Sequence, residues 1–239
     1  MGHSLGSPNR PLSGAQFWTW DPGDEGWWRL YHQDYHTPKA LSRRTFGPLL
    51  RFDHHEPDVS GRAQEDPNGR SVIYLGQNRL TCEAEALWDQ PPAPGASPGG
   101  PRIASVCRRY RFAQLRPTAP ITLVNLVGVG CDAIGALPEL ATGSSDIYPI
   151  SQEWAQAIYE DTGVQGVYYP GAHDLGMCMV LWDNAPPLEI VRDKGRPRDL
   201  SLHDPRLWDR VLVEYSINNR ALKKIRAFEC PKCRAAGYR

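Results

Sequence analysis

The sequence predicts an α+β protein. Short apolar runs of strand type are interleaved irregularly with segments of helical periodicity, so the chain does not read as a regular βαβ series. Its 239 residues are 41% hydrophobic and 23% charged, ordinary proportions for a globular chain with one large core. The longest apolar stretch, from Ile121 to Gly130, contains Asn125 and is too short to span a bilayer.

Taken in order, residues 1–24 are rich in Gly, Pro and Ser and are expected to form a flexible N-terminal segment. A folded domain is expected over 25–217. It opens on Trp27-Trp-Arg-Leu-Tyr31, compact and aromatic, which predicts a strand. Ser71-Val-Ile-Tyr-Leu75 predicts a second, ended by Gly76. Asn78 is placed to cap a helix in which Leu80, Ala84, Leu87 and Trp88 fall on one face. Residues 90–102 carry so many Pro and Gly that a surface loop is expected. Strands are predicted over 104–112 and 121–128. A helix is predicted from Ser151 with Trp154, Ile158 and Tyr159 on one side, then strands at Gly166–Tyr169 and Met177–Trp182. In the last predicted helix Asp204 caps, Pro205 suits the first turn, and Trp208, Val211, Leu212 and Tyr215 recur at helical spacing. Residues 218–239 read as a basic tail: seven Lys and Arg from Arg220 onward against Glu229 alone.

Charge is balanced, with 27 basic and 27 acidic residues, which does not suit a nucleic-acid or membrane-surface binder. The polar N-terminus has no apolar signal core. The six cysteines are scattered except for Cys230 and Cys233, a pattern that fits reduced thiols and a cytoplasmic location better than a disulfide framework.

Several constellations can carry chemistry. His32 and His36, four apart, and the pair His54-His55 are parts from which zinc sites are made. The first spacing needs a helix that the strand at Trp27–Tyr31 and Pro38 oppose, so polar loop histidines are the preferred reading. Cys230-Pro-Lys-Cys233 is half a zinc site or a redox pair, or two exposed thiols in a tail; it is the weak metal candidate, and no metal is expected. Neither phosphate-loop motif is present. Arg29 within an apolar strand must be paired or face a ligand. Arg51-Phe52 and Tyr74-Leu-Gly76 follow, with Glu85 eleven residues beyond Tyr74. Arg29 and Glu85 can also be read as a salt bridge between strand and helix, and the strand tyrosines as core aromatics.

Trp28-Arg-Leu-Tyr31, Arg51-Phe52, Tyr74-Leu-Gly76 with Glu85, and Gly166-Val-Tyr-Tyr-Pro170 followed by Val180-Leu-Trp182 resemble the RES domain over about residues 25–192. That family is named for an arginine, a glutamate and a serine. It includes bacterial toxins of toxin–antitoxin pairs that degrade NAD+, some by phosphorolysis, on a fold related to ADP-ribosyltransferases. The resemblance implies catalytic roles for Arg29, Arg51 and Glu85, and an NAD+ pocket lined by Tyr31, Tyr74, Tyr169, Gly171 and His173. It implies NAD+ as substrate, cleavage of the nicotinamide–ribose bond with phosphate or water as acceptor, and a cognate antitoxin as partner. Gly171 stands where the family has its serine. A catalytically silent nucleotide- or partner-binding module is therefore one alternative, and an ADP-ribosyltransferase acting on a macromolecule is another.

The chemistry agrees with those residue types. Breaking the nicotinamide–ribose bond builds positive charge on the ribose, which a carboxylate stabilises. The forked guanidinium suits a pyrophosphate, and tyrosine rings suit the flat cationic nicotinamide.

Overall fold

A computed structural model describes residues 5–87, 102–173, 176–216 and 220–237. The elements used below are, in chain order, β1 (Phe17–Trp20), β2 (Trp27–His32), β3 (Ile73–Gly76), α1 (Arg79–Leu87), β4 (Arg102–Cys107), β5 (Tyr110–Pro117), β6 (Ile121–Asn125), α2 (Glu139–Thr142), α3 (Tyr148–Thr162), β7 (Gly166–Pro170), β8 (Met177–Leu181), β9 (Asp199–Ser201), α4 (Pro205–Ser216), β10 (Arg220–Ile225) and α5 (Pro231–Ala235). The class is the expected α+β. The chain forms two compact units: Met1–Glu25, Arg43–Tyr74 and Pro117–Leu188 in the first, and Gly26–Ser42, Leu75–Arg116 and Glu189–Arg239 in the second.

In the first unit β1 pairs antiparallel with β6, β6 runs parallel to β7, and β7 turns back antiparallel into β8. A parallel pair needs a long crossover, and α2 and α3 lie in the chain between β6 and β7. Leu126, Leu140, Trp154, Ile158, Val167, Val180 and Trp182 form its core. Helix α3 starts at Tyr148, three residues before the expected Ser151, with a proline in its first turn. It ends at Gly163, whose φ of 67° is the left-handed conformation a helix C-cap demands.

The expectation of a flexible segment over 1–24 needs correction for its described part. Leu5 and Leu12 are buried, Phe17–Trp20 is a strand, and Arg10 forms ion pairs with Glu160 and Asp161 of α3. The Gly, Pro and Ser around it concealed a short alternating aromatic strand.

In the second unit β2 pairs antiparallel with the end of β3 (Trp28 opposite Gly76) and, along its whole length, with β5; β5 also pairs with β9. Helix α1 is capped as expected, the Thr81 amide donating to Asn78 Oδ1 at 2.9 Å. Trp88 and nearly all of the expected 90–102 loop lie outside the described residues. At the start of α4 the Arg206 amide donates to Asp204 Oδ1 at 3.0 Å and the Trp208 amide to the Asp204 carbonyl at 2.8 Å, the capping read from Asp204 and Pro205.

Two further expectations change. The strand expected over 104–112 is two strands, β4 and β5, separated by a turn at Arg108-Arg109. No Gly or Pro marks that turn; two adjacent charges interrupting an apolar alternation are its only trace. The basic tail from 218 is structured where it is described. β10 pairs parallel with β4, and Cys230 and Cys233 of the short α5 region are 1% and 0% exposed. Adjacent Lys223 and Lys224, between Leu222 and Ile225, had disguised a strand as a solvated charge run.

Candidate active-site residues

Within the first unit, Asp53 organises the segment that carries Arg51. Its carboxylate takes a fork of two bonds from the buried Arg44 (2.7 and 2.9 Å), the amides of Leu49 (2.7 Å) and Leu50 (3.0 Å), and the Tyr74 hydroxyl (3.0 Å). The Tyr74 oxygen accepts the Phe52 amide at 3.1 Å. Burial first, and the Asp53 charge second, push the Tyr74 phenol well above its ordinary range, so it stays a neutral donor. Phe52 is fully buried, meets Tyr169 edge to face at 4.8 Å between ring centres, and presents its carbonyl to Trp182 Nε1. Tyr74, Phe52 and Tyr169 thus form one connected group.

Arg51 points elsewhere. It donates to the carbonyl of Gly143 at 2.6 Å and more weakly to that of Glu139 at 3.4 Å, at the C-terminal end of α2, with the Tyr148 ring 5.2 Å from its guanidinium carbon. The Glu139 carbonyl already accepts the Gly143 amide at 2.7 Å, so Gly143 is the main acceptor, and a cation on a carbonyl just past a helix C-terminus is favourable on its own account. Gly171 leaves β7 and donates its amide to the Gly176 carbonyl at 2.7 Å, closing the turn into β8. His173 lies half-buried in that turn, while the adjoining Asp174 lies outside the described residues. The turn sequence, Gly-Ala-His-Asp-Leu-Gly, contains no hydroxyl side chain.

Within the second unit, β2 presents two faces, as a strand must. Trp27, Arg29 and Tyr31 share one. Trp28, Leu30 and His32 share the other, on which Trp28 and Leu30 pack against the apolar cluster that includes Phe112, Leu207 and Val211, the Trp28 ring meeting that of Phe112 edge to face. Arg29 is 5% exposed; it donates to the Ala40 carbonyl at 2.5 Å and the Lys39 carbonyl at 3.3 Å, and lies 5.9 Å from the Tyr31 ring. The Tyr31 hydroxyl donates to the Asp199 carboxylate (2.9 Å), which Arg111 also holds at 2.8 Å. Burial, then the Asp199 charge, raise Tyr31 to about 12, so it remains protonated and donating. Tyr31→Phe is expected to cost about 1–2 kcal/mol of stability, since the Asp199 carboxylate keeps Arg111 as its partner. Urea unfolding of the two proteins measures it.

Glu85 is half-buried on α1. Sequence reasoning passed over its neighbour Glu83, which is 0% exposed and has no hydrogen-bond partner on either carboxylate oxygen among the described residues. Desolvation first, then the charge of Glu214, push its carboxyl up to about 9 against the opposing pull of Arg79. Arg79 gives its own bond to Glu214 at 2.7 Å and lies 5.3 Å from the Trp28 ring. The signal was present, because Glu83 falls at i+3 from Leu80, inside the apolar stripe of α1.

The second unit also has a shallow concavity of about 610 Å³, lined by Arg108, His203, Lys224, Arg226, Phe228 and their neighbours. None of the candidate residues lines it.

These parts describe a mixed α+β protein with arginine, tyrosine and glutamate side chains on and beside the strands β2, β3 and β7. The chain belongs to the RES domain family, whose model matches residues 26–203. No curated protein sequence matches the chain. Among solved structures, one similar chain is found in the MbcT–MbcA toxin–antitoxin complex of M. tuberculosis. That likeness has 16% identity and a TM-score of 0.49 and covers 82% of this chain and 91% of that one.

Proposed function

We propose that this chain is an NAD+-degrading enzyme that cleaves the nicotinamide–ribose bond with phosphate or water as acceptor, in the manner of a toxin. The observation that carries the reading is membership of the RES domain family across residues 26–203, a span that contains Arg29, Arg51 and Glu85. In this reading Glu85 stabilises the positive charge that develops on the ribose as the bond breaks. Arg29 and Arg51 bind the pyrophosphate or the incoming phosphate. Tyr31, Tyr74 and Tyr169, with Gly171 and His173, surround the nucleotide. The protein works in the cytoplasm, where NAD+ is abundant, and a cognate antitoxin restrains it. Among the described residues no helix is long and apolar enough to cross a membrane.

A second reading is a silent nucleotide- or partner-binding module, and Gly171 favours it. That residue brings no hydroxyl, and its amide is spent on Gly176. Removing one hydrogen-bond donor from such a site costs about 2–4 kcal/mol of transition-state stabilisation.

The test is to incubate the pure chain with NAD+, with and without phosphate, and separate the products by chromatography. Phosphate-dependent nicotinamide release is expected for a phosphorylase, and phosphate-independent release for a hydrolase. ADP-ribose attached to protein or nucleic acid would point to transferase activity instead. A folded chain that releases nothing, yet gains release on Gly171→Ser, is the silent module.

A further inference from the structure

On the second face of β2, its last side chain, His32, enters a buried cluster with Cys107, Cys230 and Cys233. The four are 3%, 0%, 1% and 0% exposed. His32 Nε2 lies 3.4 Å from Cys107 Sγ, 3.6 Å from Cys230 Sγ and 3.4 Å from Cys233 Sγ, and the sulfurs of Cys107 and Cys233 are 3.5 Å apart. All four ligand atoms lie within 4.8 Å of one another. We infer that His32, Cys107, Cys230 and Cys233 form a structural zinc site that fastens the C-terminal segment to β2.

The spacing is that of a coordination tetrahedron. Zinc bonds of ~2.3 Å to sulfur and ~2.0 Å to imidazole nitrogen set sulfur–sulfur edges near ~3.8 Å and sulfur–nitrogen edges near ~3.5 Å. The three nitrogen–sulfur distances and the Cys107–Cys233 sulfur distance fall within a few tenths of an ångström of these. A disulfide needs sulfurs at ~2.05 Å and would leave a third thiol over. Three thiols and an imidazole, with no carboxylate, form a borderline-soft donor set that selects zinc over magnesium or calcium. All four positions are filled by protein and closed to solvent, as in a structural rather than a catalytic site.

Charge agrees as well. Three thiolates and Zn²⁺ sum to one negative charge. Lys232, between the two cysteines of the Cys-Pro-Lys-Cys turn, supplies a cation beside them, its ammonium 5.3 and 5.1 Å from the rings of Tyr35 and Tyr110. Tyr110 stands opposite His32 in the β2–β5 ladder and meets its ring edge to face at 4.8 Å. Loading releases the three thiol protons and oxidises nothing. It also places the imidazole proton on Nδ1, so the 3.2 Å contact in which Nδ1 accepts the Asp34 amide is given up.

The site ties together chain ends far apart in sequence. Cys107 closes β4, whose parallel partner β10 leads into the Cys230–Cys233 turn, with Ile225 in register opposite Cys107. His32 closes the strand that carries Arg29 and Tyr31. Without a cation, this corner would rest on three buried thiols and an imidazole.

The full chain, grown with zinc and purified without metal-affinity resin or chelator, is expected to contain about one zinc per molecule by elemental mass spectrometry. Replacing zinc with cobalt should give tetrahedral d–d bands in the visible and a thiolate-to-cobalt charge-transfer band in the near ultraviolet. Cys233→Ser should reduce retained zinc at least about tenfold, while Cys178→Ser, which alters a buried thiol of the first unit, should leave it unchanged. Should Cys233→Ser fail to fold, the wild-type chain still decides: zinc released in step with three thiols on titration with a mercurial supports the site. Less than about a tenth of an equivalent of zinc after anaerobic reconstitution overturns it, as do iron in place of zinc or a disulfide among these cysteines.

Discussion

Glu83→Gln is expected to stabilise the chain, by an amount that grows from little below pH 4.5 to several kcal/mol near pH 9. Folding raises this carboxyl from its ordinary 4.5 to about 9, chiefly because α1 buries it away from water. In that window the native state keeps a proton that the unfolded chain has released, so stability falls as the pH rises through it. Below the window both states are protonated and the penalty disappears. At ~1.4 kcal/mol per pH unit the full span corresponds to roughly 6 kcal/mol, which relaxation and water entry reduce to about 2–4 kcal/mol. Glutamine keeps the shape without the ionisation. Urea midpoints of both proteins between about pH 5 and about pH 9 provide the measurement. A stability gap that stays constant across the range would mean that Glu83 does not titrate there.

Two residues further along α1, Glu85→Gln is expected to do the reverse, leaving stability within about 0.5 kcal/mol while removing activity. Two helical steps turn a side chain by about 200°, so the two glutamates face different surroundings. Glu83 is fully buried and Glu85 half-buried. If Glu85 carries the charge stabilisation in NAD+ cleavage, the amide should lower kcat/KM for nicotinamide release by about a thousandfold, or ~4 kcal/mol. Thermal midpoint and product release, measured on one preparation, separate the roles. A loss of stability comparable to the loss of activity would assign Glu85 to a strand–helix ion pair.

Much of the fold was legible because local chemistry announced it. Asn78, Asp204 and Pro205 start helices where they stand, and the apolar runs at 73–76, 121–125, 166–170 and 177–181 are strands. What escaped was non-local. His32 and Cys107 are 75 residues apart, and His32 and Cys230 are 198 apart, so no spacing rule joins them. Cys230-Pro-Lys-Cys233 looked like half a site in a tail because its other half arrives from the ends of two strands. Arg51 was named through the family resemblance; that its partners are the carbonyls of Glu139 and Gly143, 88 and 92 residues further along, could not be read from its own surroundings. The candidate residues were named from a family resemblance, and periodicity alone would have left most of them as core aromatics and ion pairs.

The Asp53 carboxylate, with two bonds on one oxygen and three on the other, has spent all of its roughly four lone-pair directions. One consequence concerns which substitutions this loop tolerates. Leu49 and Leu50 offer backbone amides to the anchor, while their side chains are 39% and 38% exposed. Their identities are therefore interchangeable with almost anything except proline, which has no amide to give. Position 53 admits no such freedom: asparagine replaces one oxygen with a donor that would confront Arg44 or the Leu50 amide, and glutamate overreaches by a methylene. Conspicuous leucines here are the replaceable part, and one short acid carries the information.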